Sequence, residues 1–159
     1  MSLTGTLLVF EGGRDGESLA TDLAAAVGAS LLRIAPESKP KYHAAAVFAS
    51  NYVATLLELS ERLMRDAGLD DIALRGAVSE LARSAIENWF RQEGSSRFTG
   101  PIVRGDSELA GKHLEALEGR ALAQELYRLL GLQLVESVSS EQPDSERLKA
   151  VQERLLQRR

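Results

Sequence analysis

Parallel β-strands cannot be joined by a tight turn; they need a crossover of a dozen or so residues, and the start of this chain spells out one. Thr6-Leu7-Leu8-Val9-Phe10 is a short β-type run, followed by the turn Glu11-Gly12-Gly13-Arg14-Asp15-Gly16. Glu17 to Val27 is alanine-rich and helix-like, with Gly28 placed to close it. Ser30-Leu31-Leu32-Arg33-Ile34 is a second short strand, stopped by Pro36. Strand, helix and strand within about thirty residues predict a βαβ unit. A lone parallel pair is a poor object, because such sheets are normally large and covered on both faces. The N-terminus therefore reads as the end of a larger α/β domain whose beginning is missing.

Everything after Pro40 reads as helix. The spacing predicts one long helix from Lys41 to Ala67 with Gly68 beyond it, and a second from Asp71 to Gln92 capped by Asp70 or Asp71. Leu74, Val78, Leu81, Ala85 and Trp89 keep the spacing of one buried stripe on that second helix. Glu93 to Gly105 is a loop, and Asp106 caps a short helix reaching Leu117. Arg120 to Val138 is a further helix with Leu122, Leu126, Leu129 or Leu130, and Leu134 expected on its inner side. A last amphipathic helix carries Leu148, Val151 and Leu155. The expected division is a βαβ segment at 1–38 and an all-helical segment at 39–159.

Composition narrows the chemistry. With 44% hydrophobic and 26% charged residues the chain is ordinary globular material, not a disordered one. The absence of cysteine (Cys 0) excludes a disulfide scaffold, a thiol nucleophile and cysteine-based zinc sites, and two histidines argue against a histidine-rich metal site. Net charge is −4, and neither sign forms a long block, so no nucleic-acid or membrane partner is expected. The uncharged run Tyr42 to Leu57 has sixteen residues, fewer than the ~20 that span a bilayer, and it holds His43, Ser50, Asn51 and Thr55. The start lacks the basic and apolar stretches of a signal peptide, which makes the cytoplasm the default location.

Three places could carry chemistry. Gly12, Gly13 and Gly16 sit between a strand and a helix, where a phosphate loop belongs. Their spacing is G-G-x-x-G, and Leu32-Arg33-Ile34-Ala35 stands where an acidic ribose ligand is expected, so a plain glycine turn is the preferred reading. On the long helix His43 and Ser50 fall within ~20° of one another, with Asn51 on the adjoining flank. Those three are either satisfied core polars or groups lining a ligand cavity. In the loop Arg97-Phe98-Thr99-Gly100-Pro101-Ile102-Val103-Arg104-Gly105-Asp106, Arg104 could grip a carboxylate or phosphate, or pair with Asp106. His113 reads as a solitary surface or interface residue.

The Tyr42-His43-Ala44-Ala45-Ala46-Val47-Phe48-Ala49-Ser50-Asn51 segment, the Thr99-to-Asp106 loop, His113-Leu114 and the Leu126-Tyr127 helix carry a resemblance. The chain resembles the C-terminal helical domain of unknown function that follows a Rossmann domain in dehydrogenase-like proteins. Those proteins are similar to pyrroline-5-carboxylate reductase, the F420-dependent NADP reductases and the 6-phosphogluconate dehydrogenase superfamily. The resemblance implies a mainly α fold, a helical bundle of the 6-phosphogluconate dehydrogenase C-terminal-like type preceded by a βαβ remnant of a Rossmann domain. It implies NAD or NADP on the full-length protein, and a helical domain that forms a homodimer and lines the substrate cleft. Thr6 to Ile34 would correspond to the last βαβ of the Rossmann domain. His43, Ser50, Asn51, Thr99 and Arg104 become the substrate-binding candidates, and His43, Ser50, Asn51 and Arg104 are expected to converge on one cleft.

Two departures temper the implied activity. The fingerprint half of the Rossmann domain is absent, so the chain alone is expected to bind no cofactor. Related hydroxyacid dehydrogenases place a catalytic Lys four residues before an Asn, whereas Val47 stands four before Asn51 here. The function expected is the dimerising, substrate-facing half of an NAD(P)-dependent oxidoreductase, inactive without its nucleotide domain. The alternative is a non-enzymatic helical dimer or interaction module on the same scaffold.

Overall fold

The computed structural model describes residues 3–143 and 145–157 of the chain. It is mainly helical with a short two-stranded parallel sheet, and divides into two compact units at residues 1–56 and 57–159. That division falls inside a helix, and so marks where contacts thin out. The change from α/β to all-helical chain comes earlier, near Pro36.

In the N-terminal unit, β1 (Leu7–Phe10) and β2 (Ser30–Arg33) pair in parallel, with Leu7 opposite Ser30 and Phe10 opposite Arg33. The crossover is α1 (Arg14–Ala26), whose first turn carries Asp15 and Glu17 where the helix dipole favours negative charge. Gly28 ends it at φ +69°, a conformation that costs a side-chain-bearing residue ~1–2 kcal/mol. The N–H groups of Gly28 and Ala29 return to the Ala25 and Ala24 carbonyls and turn the chain into β2.

The glycines after β1 house an aromatic ring. A Cβ on Gly12 would lie 2.7 Å from the Phe10 ring, and one on Gly16 3.3 Å from it. Arg33 donates to Glu17 Oε2 at 2.7 Å and, at 3.4 Å, to the Gly12 carbonyl, tying the end of β2 to the same turn. This is a packed glycine turn, with the Phe10 ring seated against Gly12 and Gly16.

The expected helix from Lys41 to Ala67 is two helices, α2 (Lys39–Ala49) and α3 (Asn51–Asp66). They break at Ser50, with φ −127° and ψ −71°. Ser50 Oγ reaches the Ala46 carbonyl at 2.7 Å and Asn51 Oδ1 at 2.8 Å, offering the backbone a local alternative to the helical ladder. Pro40 lies in the first turn of α2, where its missing N–H costs nothing.

In the C-terminal unit, Gly68 ends α3 at φ +93°, and Asp70 Oδ1 accepts from the Ile72 and Ala73 N–H groups to start α4 (Asp71–Arg91). Leu74 and Val78 of α4 are buried, but Leu81, Ala85 and Trp89 are exposed, so only the first half of the expected stripe reaches the core. The core lies further on, among α5 (Ser107–Ala116), α6 (Ala121–Ser139) and α7 (Glu146–Leu156). Ile102, Ala110, Leu114, Val135, Val151 and Leu155 form it. Leu148, Val151 and Leu155 are buried as their spacing predicts.

The inner side of α6 differs from expectation. Ala123, Arg128, Gly131, Val135 and Val138 are buried, whereas Leu122, Leu129 and Leu130 are exposed and Leu126 and Leu134 half-buried. The reason is close approach: a Cβ on Gly131 would stand 2.9 Å from Leu155 Cδ1. A helix that presents glycine and alanine to its neighbour must turn its leucines away. Among the described residues no helix is long and apolar enough to cross a membrane.

Asp106 caps α5 through the Leu109 N–H at 2.9 Å. Gly105 before it has φ +72°, and a Cβ there would collide with Arg147, reaching 3.2 Å from its backbone carbon. The Arg104-Gly105-Asp106 tripeptide is thus a turn packed on α7. After α4, the 3-10 turn Gly94–Arg97 is held by Glu141, which accepts from the Ser95 hydroxyl and, at 2.8 Å, from the Ser95 N–H. Those two bonds hold the Glu141 carboxyl below its ordinary 4.5.

Two predictions follow from this packing. Leu155→Ala should cost about 2–5 kcal/mol in urea denaturation, because it empties the α6–α7 contact; a loss of under ~1 kcal/mol would contradict the placement of α7. Because the Glu141 carboxyl is lower in the folded chain, its contribution is complete above the ordinary carboxylate range and disappears as pH falls through and below that range. Glu141→Gln should therefore be less stable than the wild type at neutral pH, with the gap closing in acid.

Candidate functional site

Two parallel strands end on the same side, and the space beyond their carboxyl ends is where open α/β sheets take ligands. In the N-terminal unit that space is a cleft of about 680 Å³. Val9 and Phe10 of β1 and Ile34 after β2 form its apolar base. Glu11 and the first turns of α2, with Lys39, Pro40, Tyr42 and His43, complete it. Proline in the first turn of α2 fixes where Lys39 and His43 stand, four residues apart and so on one helix face.

One oxygen of the Glu11 carboxylate, Oε2, is sealed from solvent. A buried carboxylate oxygen is costly unless neutralised, and Lys39 Nζ lies 2.5 Å from it. The lysine itself stays well exposed, so the pair has one buried and one wet end. His43 and Tyr42 are exposed at the cleft wall. The cleft thus offers an apolar base, a phenol, an imidazole able to pass a proton to or from a ligand, and an ion pair already neutral as a unit.

Of the residues singled out from the sequence, only His43 lines this cleft. Ser50 and Asn51 lie at the α2–α3 break and are hydrogen-bonded to each other; both are exposed, so neither is a core polar group. Thr99 belongs to a separate cleft of about 410 Å³ within the C-terminal unit, beside Trp89, Arg97 and Phe98. There the Arg97 guanidinium lies 4.4 Å from the Trp89 ring centre and donates to the Gln92 carbonyl at 2.9 Å. Arg104 is exposed on the loop before α5 and lines neither cleft. Asp106 does not pair with it among the described residues, because its carboxylate caps α5.

Sequence reasoning missed Glu11 and Lys39. The available signal was position: one follows the first strand directly, and the other opens the helix after the second. It also misjudged His113, which is half-buried and joined to Tyr127, with Nδ1 2.9 Å from the phenol oxygen and the rings edge to face at 5.7 Å. Burial pushes the Tyr127 phenol up, which keeps its hydroxyl protonated beside the imidazole. Among the described residues no group of three or more His, Asp or Glu side chains is placed to hold a metal ion.

The chain is similar to a solved structure, the crystal structure of protein TM1727 from Thermotoga maritima, at 26% identity and a TM-score of 0.76. The match takes in 88% of this chain and 56% of that one, so the chain spans a little over half the length of that protein. No curated protein matches it. A family model described as a domain of unknown function, DUF2520, matches residues 6–134, from the start of β1 into α6 and so across the β1–β2–α2 cleft. The chain belongs to the DUF2520 family.

Proposed function

We propose that the chain is the dimerising, substrate-facing part of an NAD(P)-dependent oxidoreductase of the 6-phosphogluconate dehydrogenase C-terminal-like superfamily. In this reading a separate Rossmann domain binds the dinucleotide, since the glycine turn here is filled by Phe10. The observation that carries the reading is the cleft at the carboxyl ends of β1 and β2, with His43 beside the Glu11–Lys39 pair. Its supports are the bare faces of the sheet and its crossover. Leu7 and Leu32 on the strands, and Leu19 and Leu23 on α1, are exposed, as expected of a βαβ unit that completes a larger parallel sheet. His43 would exchange a proton with the substrate, while Lys39 and Glu11 position it.

A non-enzymatic module on the same scaffold is the second reading. It is favoured by the mutual hydrogen bond of Ser50 and Asn51, which occupies two groups that a substrate site would keep available.

Homodimer formation is common to both readings, and α4 supports it. Ile72 is 88% exposed and Phe90 81%, and Leu81, Ile86 and Trp89 are also exposed on this helix. A run of large apolar side chains in water exceeds what monomers usually leave uncovered. A two-fold mate would bury that surface with its own copy of the same helix.

Two measurements test these proposals. Titration of the labelled chain with a panel of small 2-oxo acids, hydroxy acids and cyclic imines should shift amide signals around Phe10, Glu11, Lys39 and His43 for at least one compound, and His43→Ala should weaken that response about tenfold. Responses confined to other parts of the chain would refute the cleft assignment. Sedimentation should give a dimer at micromolar concentration, and Ile86→Glu with Phe90→Glu should give a folded monomer. A monomeric wild type would rule out the dimer.

A further inference from the structure

Within the C-terminal unit a second kind of cleft, about 350 Å³ in volume, lies between the end of α5, the first turns of α6 and the end of α7. Its wall includes Arg128, which is only 9% exposed and is the one buried charged residue among those described. Buried charges are ordinarily paired. Arg128 has no carboxylate partner among the described residues; its Nη1 donates to the backbone carbonyls of Leu155 at 2.9 Å and Gln157 at 2.6 Å. The carbonyl end of a helix carries about half an elementary charge, so α7 balances roughly half of the guanidinium. Nε and Nη2 make none of these bonds, and together they form the side edge of the fork that matches a carboxylate.

The rest of the wall sets the sign and size of what could bind. Arg154 is committed, lying 3.3 Å from Glu115 Oε1 and 3.3 Å from Gln157 Oε1. The Gln124 amide donates to the Leu114 carbonyl at 2.7 Å. Ala121 opens α6 at the cleft wall with no side-chain cap, so the first turn presents its positive end there. Against these stands Glu118, an exposed carboxylate on the same cleft with no ion pair among the described residues. Arg128 and Arg154 against Glu115 and Glu118 sum to no net charge. A doubly charged phosphate would meet Glu118 without a compensating cation among the described residues, whereas one planar carboxylate needs only the Arg128 edge. Arg154 and Gln157 stand beyond residue 134, where the family match ends, so part of this cleft lies outside the matched region.

We propose that the α5–α6–α7 cleft is a binding site for a small monocarboxylate, held by the free edge of Arg128 and kept selective against phosphate by Glu118. The site is independent of the β1–β2–α2 cleft and of the activity proposed for it.

The test follows the Arg128 Nε–H signal of the full chain during titration with sodium acetate, with sodium chloride and inorganic phosphate at matched ionic strength as comparisons. Acetate should give a saturable shift with a Kd on the order of 1–10 mM. Phosphate should bind at least tenfold more weakly, and chloride should give no saturation. Arg128→Lys keeps the charge but removes the fork, and should weaken acetate at least tenfold. Should that variant fail to fold, Glu118→Gln on the exposed wall decides, and it should strengthen phosphate at least threefold. A linear acetate response, phosphate binding as tight as acetate, undiminished acetate binding in a folded Arg128→Lys, or unchanged phosphate binding in Glu118→Gln would each overturn the proposal.

Discussion

The approach of α7 to α6 is set by a missing side chain. Gly131 leaves room for Leu155, and the way α6 and α7 face each other follows from that contact. Once α6 faces α7 with Ala123, Gly131, Val135 and Val138, its bulky leucines have only the outer surface left to them. The same approach carries the end of α7 down to Arg128, whose guanidinium takes the last carbonyls of that helix. Gly111 repeats the device one helix away, leaving space for the Arg154 guanidinium that a Cβ would fill. Gly105 seats the loop before α5 against α7 in the same manner. Three glycines of α5, α6 and the preceding loop are thus fixed by one helix, for steric rather than conformational reasons in two of the three.

The N-terminal unit rests on a different constraint, the incompleteness of a parallel pair. Both strands are short, and of the whole unit only Ala24 is fully buried among the described residues. Its order comes instead from local devices: the Gly28 reversal, the Phe10 ring seated on Gly12 and Gly16, and Arg33 bridging to Glu17. Exposed surface ion pairs contribute only ~0–1 kcal/mol each, so Arg33–Glu17 orients the turn more than it stabilises the unit. A unit held in this way gains most from an apolar partner laid over α1 and the sheet.

What could be read from the sequence, and what could not, divides along physical lines. The βαβ unit, its parallel sense and the Gly28 and Gly68 endings were legible because period, breakers and left-handed glycines act locally. The cap Asp106 was legible for the same reason, as was a cap at Asp70 or Asp71, of which Asp70 is the one formed. The buried face of α7 was legible because three apolar residues lie among charged ones. The buried face of α6 was not, since a helix rich in both leucine and small residues offers two candidate faces and hydrophobicity alone favours the wrong one. The break at Ser50 was missed because serine and asparagine are tolerated inside helices, and only the Ala46 and Asn51 hydrogen bonds show that here they interrupt one. In the candidate cleft, His43 could be singled out from its helix, but Glu11 and Lys39 come together only through the crossover, and no spacing rule joins residues so far apart.

Charge balance distinguishes the two clefts and what each can ask of a ligand. At the ends of β1 and β2 the buried Glu11 oxygen already has its counter-charge in Lys39, so the walls there are neutral in sum and mostly apolar. A ligand entering that space gains from displaced water and from single hydrogen bonds to Tyr42 or His43, and a charged group on it would have to compete with an existing ion pair. Around Arg128 the wall also sums to no net charge, but its charges are not matched pair by pair. The guanidinium is buried with only backbone carbonyls as hydrogen-bond partners among the described residues, and the helix end supplies about half a charge against a whole one. The remaining imbalance is a standing preference for an anion, and Glu118 limits how much negative charge that anion can bring. The first cleft selects mainly by shape and hydrogen bonding, the second mainly by charge.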